Sequence, residues 1–113
     1  MTTSERQLET KFINLCRKYK VKTIKGDSRN NVGFPDRIVF NQHNRTIHYI
    51  EFKNDTYYRQ TVPQGYWQDI IEGSGGRYFL INGEHEMLQY VETFIKTRKP
   101  PTEKELDEFY EID

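Results

Sequence analysis

Asp36, Glu51 and Lys53 are the residues of this 113-residue chain whose types and spacing suit chemistry. Asp36 follows a proline and opens an apolar run, Gly33-Phe34-Pro35-Asp36-Arg37-Ile38-Val39-Phe40. Glu51 and Lys53 close the next run, Tyr49-Ile50-Glu51-Phe52-Lys53, with Glu51 fifteen residues after Asp36. Side chains alternate faces along a strand, so Glu51 and Lys53 point to one side. Asp36 shares its side with Ile38 and Phe40. If the two runs pair as a hairpin, Asp36 at the start of one meets Glu51 and Lys53 at the end of the other. Two carboxylates and an amine then converge at one end of a sheet. That set suits a hard divalent cation beside a scissile phosphate.

Metal-assisted phosphodiester hydrolysis asks an ion to lower the pKa of a bound water, to position it, and to neutralise charge building on the phosphate. Mg²⁺ or Mn²⁺ fits that role. Hard cations take oxygen ligands and keep several waters. The Asp36 and Glu51 carboxylates and the backbone carbonyl of Phe52 are enough protein ligation. Lys53 then lies near the attacking water, where it orients that water or stabilises transition-state charge; the sequence does not decide whether it accepts the proton. The plain alternative makes Asp36 a turn former and Glu51 with Lys53 a solvated pair. Against it, Glu51 and Lys53 share a strand face with Ile47 and Tyr49, and unpaired charge on a buried face is costly.

The elements around these residues follow from periodicity. Ser4 can cap a helix running to about Tyr19, in which Leu8, Phe12, Leu15, Cys16 and Tyr19 form one apolar stripe. Glu5 and Glu9 lie at its edge. A carboxylate there is either an exposed member of an i,i+4 pair or the partner of a cation or metal-bound water. Residues 21–25 read as a short strand and 26–33 as a loop; 37–40 and 46–53 are strands joined by a polar hairpin connection. After a second polar loop, 54–62, Pro63 suits the first turn of a helix to about residue 72, with Trp67, Ile70 and Ile71 facing the sheet. Gly73-Ser74-Gly75-Gly76 ends that helix, and 78–81 is a final strand. Met87, Leu88, Val91, Phe94 and Ile95 form a further helical stripe that Pro100-Pro101 breaks. Leu106, Phe109 and Tyr110 suggest one last short acidic helix. The order α-β-β-β-α-β-α predicts a three-layer α/β arrangement on a mixed sheet.

Length argues for one domain, here 1–101, followed by an acidic helix or tail, 102–113. The formal charge of zero hides an asymmetry: 1–101 carry 16 basic and 11 acidic residues, a net +5, whereas 102–113 carry one basic and six acidic, a net −5. The excess of the body sits in 1–37, with nine basic and four acidic residues. This allows a nucleic-acid surface without demanding one. Cys16 is the only cysteine, which excludes an intramolecular disulfide and a cysteine-rich zinc site. No apolar run is long enough to span a membrane, and the first residues lack the pattern of a secretory signal. A soluble intracellular (cytoplasmic) protein is expected. His43, His48 and His85 have no metal spacing and read as ordinary polar positions.

The chain resembles the PD-(D/E)XK nucleases, and within them the VRR-NUC (virus-type replication-repair nuclease) domain. The matching pieces are Glu9 in the first helix, Gly33-Phe34-Pro35-Asp36, Glu51-Phe52-Lys53, and Gln64 ahead of Trp67. The resemblance runs from about Ser4 to Ile81 and includes small stand-alone viral and bacterial members. It implies a restriction-endonuclease-like α-β-α core, with Asp36 and Glu51 on the metal, Lys53 catalytic, and Glu9 (directly or through water) and Gln64 completing the site. It further implies DNA as substrate, in replication or repair in a bacterial or phage-infected cell, with branched or Holliday-junction-like DNA the expected target. Without room for a recognition domain, selection of a DNA structure is expected over selection of a base sequence, with a symmetric homodimer engaging two strands. Lys25, Arg29, Tyr58 and Arg59 are the candidate nucleic-acid contacts, although each also suits an ordinary surface position. Arg37, on the opposite strand face from Asp36, reads as structural. The alternative function is a non-catalytic nucleic-acid-binding module that kept the fold; its mark would be a lost Asp, Glu or Lys, and all three are present.

Overall fold

The computed structural model of this chain describes residues 4–97 and residue 104. The predicted helix at 102–113 and the Pro100-Pro101 break thus lie outside the described residues, Lys104 excepted.

Helix α1 spans Glu5–Lys18. The Ser4 hydroxyl accepts the Gln7 N–H at 3.1 Å and the Gln7 side chain accepts the Ser4 N–H at 2.9 Å, a reciprocal capping box. Leu8, Phe12 and Cys16 fall on one stripe and are buried, with Leu15 and Tyr19 packed beside them. Strands β1 (Lys22–Lys25), β2 (Arg37–Asn41), β3 (Thr46–Lys53) and β4 (Arg77–Asn82) form one sheet in that order. The first three run antiparallel, β1 and β2 joined by the long loop 26–36 and β2 and β3 by the short connection 42–45. β4 lies parallel to β3, so the chain must cross over, and α2 (Val62–Gly73) makes that crossing. Helix α3 (Gly83–Tyr90) runs into a π-helical segment, Val91–Ile95.

Period-two alternation sorts the two faces of the sheet. Val39, Ile50, Phe52, Phe79 and Ile81 point to one side and pack against α1, α3 and the π-helical segment, where the hydrophobic core lies. The other face carries Ile47, Tyr49 and Glu51 and is covered by α2 alone. The mixed sheet between helical layers is the α/β architecture expected from the sequence. No helix among the described residues is long and apolar enough to cross a membrane.

Three details depart from the periodic reading. Leu88 is exposed, and Tyr90 takes its place in the core. Its ring fills more space there and its hydroxyl meets His48 at 2.7 Å. Ile70 faces the sheet as expected but stays 38% exposed, because it lines an open cleft with Ile47, Tyr49 and Trp67. Burial along the outer face of β3 is graded: Ile47 is 52% exposed, whereas Glu51 is 5% exposed. The sheet is open at the β2–β3 hairpin and closed where the carboxylates converge.

Candidate active site

The register of β2 and β3 ends at the pair Arg37–Ile50. Extended one step, it sets Asp36 opposite Glu51; one step further, Pro35 opposite Phe52. Both pairs are decided by side-chain chemistry. Asp36 Oδ2 accepts the Phe52 N–H at 2.8 Å, which fixes the aspartate rotamer beside β3. Pro35 has no N–H to offer the Phe52 carbonyl, which points to the same strand edge as the Phe52 N–H. The sequence spacing therefore delivers the Asp36 carboxylate, the Glu51 carboxyl and the Phe52 carbonyl to one end of the sheet.

Glu51 is the most perturbed of these groups. Its Oε2 is buried and accepts no hydrogen bond. Burial is the main cause of its raised pKa, followed by the charge of Asp36 and a hydrogen bond between the two carboxyls; Lys53 opposes the shift. Two carboxylates this close do not ionise together without a cation. The donor set is all oxygen, one of its atoms is a buried acceptor without a donor, and its charges repel. Those properties fit a hard divalent cation. Among the described residues no group of three or more His, Cys, Asp or Glu side chains is arranged to hold a metal. The protein ligands such an ion could take are therefore Asp36, Glu51 and the Phe52 carbonyl, with Glu9 standing off. Glu9 is half-buried, and its pKa is raised by burial first and by Asp36 second, against Arg37 and Lys25.

Lys53 extends past Glu51 to two partners. Its Nζ lies 3.9 Å from Glu5 Oε1 and 5.3 Å from the centroid of the Tyr58 ring. Gln64 is buried at the third position of α2. Its Oε1 accepts the Thr61 N–H at 2.9 Å and the Tyr58 hydroxyl at 3.2 Å. The sequence left open a solvated side chain here; the fold instead uses its carbonyl oxygen to cap α2.

Gly33 explains how the loop before Asp36 is held. Its φ is +87°, and a Cβ added there would lie 2.4 Å from the Pro63 carbonyl carbon and 2.7 Å from the Gln64 nitrogen. The loop is pressed onto the first turn of α2, a closeness only glycine permits. Phe34 stacks on Trp67 at 5.1 Å, and Trp67 Nε1 donates to the Val32 carbonyl at 3.1 Å. Asp36 and Gln64 are thus fixed relative to each other by residues 32–34. Gly33→Ala is expected to cost about 2–4 kcal/mol, combining left-handed strain and overpacking. Urea unfolding reads it directly, and an unchanged midpoint would remove this account of the loop.

No protein-family model matches the sequence, and no curated protein matches it. Its fold does have solved counterparts. One, described as a VRR_NUC domain, superposes with a TM-score of 0.71 at 16% identity, covering 81% of this chain and 98% of that one. A second, described as a VRR_NUC domain protein, gives 0.68 at 15% identity, covering 90% and 95%. The chain has the VRR_NUC fold. At such identity the likeness is one of backbone, and the site rests on this chain's own residues.

Within the VRR_NUC fold the remaining candidates divide. Lys25, Arg29 and Arg59 are exposed, and of these Lys25 lies close enough to Glu9 to lower its pKa. Tyr58 is not an open-loop aromatic, since its ring and hydroxyl are engaged by Lys53 and Gln64, while its neighbour Tyr57 is 88% exposed. Arg37 donates to the Thr23 hydroxyl and carbonyl at 3.2 and 3.4 Å, as a structural residue does. His48 corrects the sequence reading: it is a core residue, its ring packed among Phe79, Tyr90 and Phe94. Its place on the inward face of β3 was legible from alternation with Ile50 and Phe52. Glu5 is the site-bordering residue that sequence reasoning ranked below Glu9. The two sit one turn apart on the same edge of α1, and only the docking angle of the helix gives Glu5 to Lys53.

Proposed function

We propose that this chain is a metal-dependent DNA endonuclease of the VRR-NUC type, acting on branched or junction-like DNA. The observation that carries the reading is the buried Glu51 Oε2, without a hydrogen-bond donor, beside the Asp36 carboxylate and two residues from Lys53 on the same strand face. A fold built for stability alone would not retain two abutting carboxyls and an amine at a sheet end. Asp36, Glu51 and the Phe52 carbonyl would hold Mg²⁺ or Mn²⁺, which when bound supplies an acidified water and neutralises phosphate charge. Asp36 keeps its carboxylate aimed through the Phe52 N–H. Glu51, whose pKa is raised by burial and by Asp36, would serve as a carboxylate ligand once a cation offsets that repulsion. Lys53 would present its amine to the charge that develops on the phosphate, with Glu5 bordering it at 3.9 Å from the α1 side. Glu9 and Gln64 would complete the site from two helices, and the exposed Lys25, Arg29 and Arg59 are the proposed contacts to the DNA backbone. A symmetric homodimer would let a domain of this size engage two strands.

The test uses purified protein with labelled linear, flap, splayed and four-way DNA, in Mg²⁺, Mn²⁺ or EDTA. Cleavage is expected only with a divalent ion, and fastest on a branched form. Lys53→Ala and Asp36→Ala should each lower the rate by at least ~10²-fold. Cutting that survives EDTA or either substitution would remove the reading. Binding without any cutting would leave the non-catalytic module.

A further inference from the structure

We infer that Tyr58 is the positioning residue of Lys53, the side chain that sets where the ammonium stands. The inference rests on the nuclease reading for its kinetic meaning and on the geometry alone for its structural part.

A lysine carries four rotatable bonds and about 2 kcal/mol of rotamer freedom. Left to itself, Lys53 would sweep the end of the sheet. Two groups restrain it. Glu5 lies at 3.9 Å, outside hydrogen-bonding distance, and is itself largely exposed. The face of Tyr58 lies 5.3 Å from Nζ, within the range of a cation–π contact. The ring is the firmer of the two because it is held at both ends of its loop. Asp55 and Asn82 exchange hydrogen bonds, Asp55 N–H to Asn82 Oδ1 at 3.0 Å and Asn82 Nδ2 to the Asp55 carbonyl at 2.8 Å. That pair ties the start of the loop to the end of β4. The Tyr58 N–H donates to the Asp55 carbonyl at 3.3 Å, closing a turn. At the other side the Tyr58 hydroxyl donates to Gln64 Oε1, which also receives the Thr61 N–H. The ring is therefore suspended between β4 and the capped start of α2, and Lys53 lies against it. The same hydroxyl couples Lys53 to Gln64, two of the residues the sequence singled out separately.

The two functions of Tyr58 separate cleanly by substitution. Tyr58→Phe keeps the ring under Lys53 and loses only the hydrogen bond to Gln64. Tyr58→Leu keeps apolar bulk and loses the ring face. Protons above an aromatic face resonate upfield, so the Lys53 Cε protons report the contact in the full chain without any assay of activity. They should be upfield in the wild-type chain and in Tyr58→Phe, and return to the ordinary lysine position in Tyr58→Leu. With branched DNA and Mg²⁺, Tyr58→Leu should lower kcat about tenfold with KM unchanged, and Tyr58→Phe, which keeps the ring but loses its tether to Gln64, should fall between Tyr58→Leu and wild type. The amide spectrum of each variant checks that it remains folded, and Tyr58→Met supplies a second variant without a ring should Tyr58→Leu not fold. Absence of the upfield shift in the wild-type chain overturns the inference. So does a Tyr58→Leu variant with raised KM and unchanged kcat, which would make Tyr58 a DNA contact. An inactive wild-type chain with the shift intact would remove the nuclease reading while confirming the contact.

Discussion

Glu51→Gln is expected to abolish cleavage and, in the same protein, to raise stability in the absence of divalent ions. The first effect follows from its proposed role. Outer-shell partners of metal ligands cost 10- to 100-fold when removed, so loss of a carboxylate ligand should cost at least ~10²-fold. The second follows from its surroundings. The Glu51 carboxyl is buried with Asp36 beside it, and its pKa is raised by that burial and that charge. A carboxyl whose folded pKa lies above its unfolded value contributes fully below the unfolded pKa, about 4.3, and its contribution is lost as pH rises above that. Glutamine keeps the shape, carries no charge, and can donate to Asp36. The melting temperature of Glu51→Gln should therefore exceed that of wild type, by a margin that widens from pH 5 to pH 8. Mg²⁺ or Mn²⁺ should raise the melting temperature of wild type and leave the variant unmoved, since only a ligand that binds the folded state shifts the equilibrium. A variant less stable than wild type at pH 8 without divalent ions would show that the two carboxyls are not held against their repulsion.

His48 gives the second large effect, at the opposite end of the pH scale. Its ring is buried in the core with Nδ1 2.7 Å from the Tyr90 hydroxyl. Burial, with Arg77 adding to it, holds its pKa at about 4. The sign is that of a depressed base. The unfolded chain takes up a proton near pH 6.5 and the folded chain does not until about pH 4, so stability falls as pH drops through that window. The full loss is about 3 kcal/mol, a large share of what a domain of this size possesses. Urea unfolding at pH 7.5 and pH 4.5 measures it. His48→Gln keeps a polar partner for Tyr90 and cannot take up a proton. The gap between wild type and variant should shrink or reverse in favour of the variant at pH 4.5. A gap of constant size across the window would sink the assignment. Wild-type stability is thus expected to be limited by His48 at low pH and by Glu51 at high pH.

Much of this was legible in the sequence, and the reasons are local. The α1 stripe, the strand 46–53 and the Pro63 helix start are each determined by residues within a few positions of one another, where periodicity, caps and proline act directly. The pairing of Asp36 with Glu51 was legible too, because a hairpin with a short connection leaves few registers and period two fixes the face. Three things were not. Leu88 and Tyr90 border the same stripe from opposite sides, and the docking of the helix buries Tyr90, whose hydroxyl meets His48 forty-two residues away. Gly33 reads as an ordinary loop glycine until α2 comes to rest on it. The resemblance favours Glu9 over Glu5, but periodicity puts both on one edge of α1, and it is the docking of the helix that brings Glu5 to Lys53.

The sequence by itself thus determined which residues carry the proposed chemistry and which strand end they occupy, since both depend on residue type and a spacing of two. The tertiary structure decided what each of them touches. It placed Tyr58 against Lys53, used the Gln64 carbonyl as a cap, and left Glu51 Oε2 without a donor. Those contacts join segments far apart in the chain, and their distances are set by the packing of helices on the sheet, which no local pattern encodes.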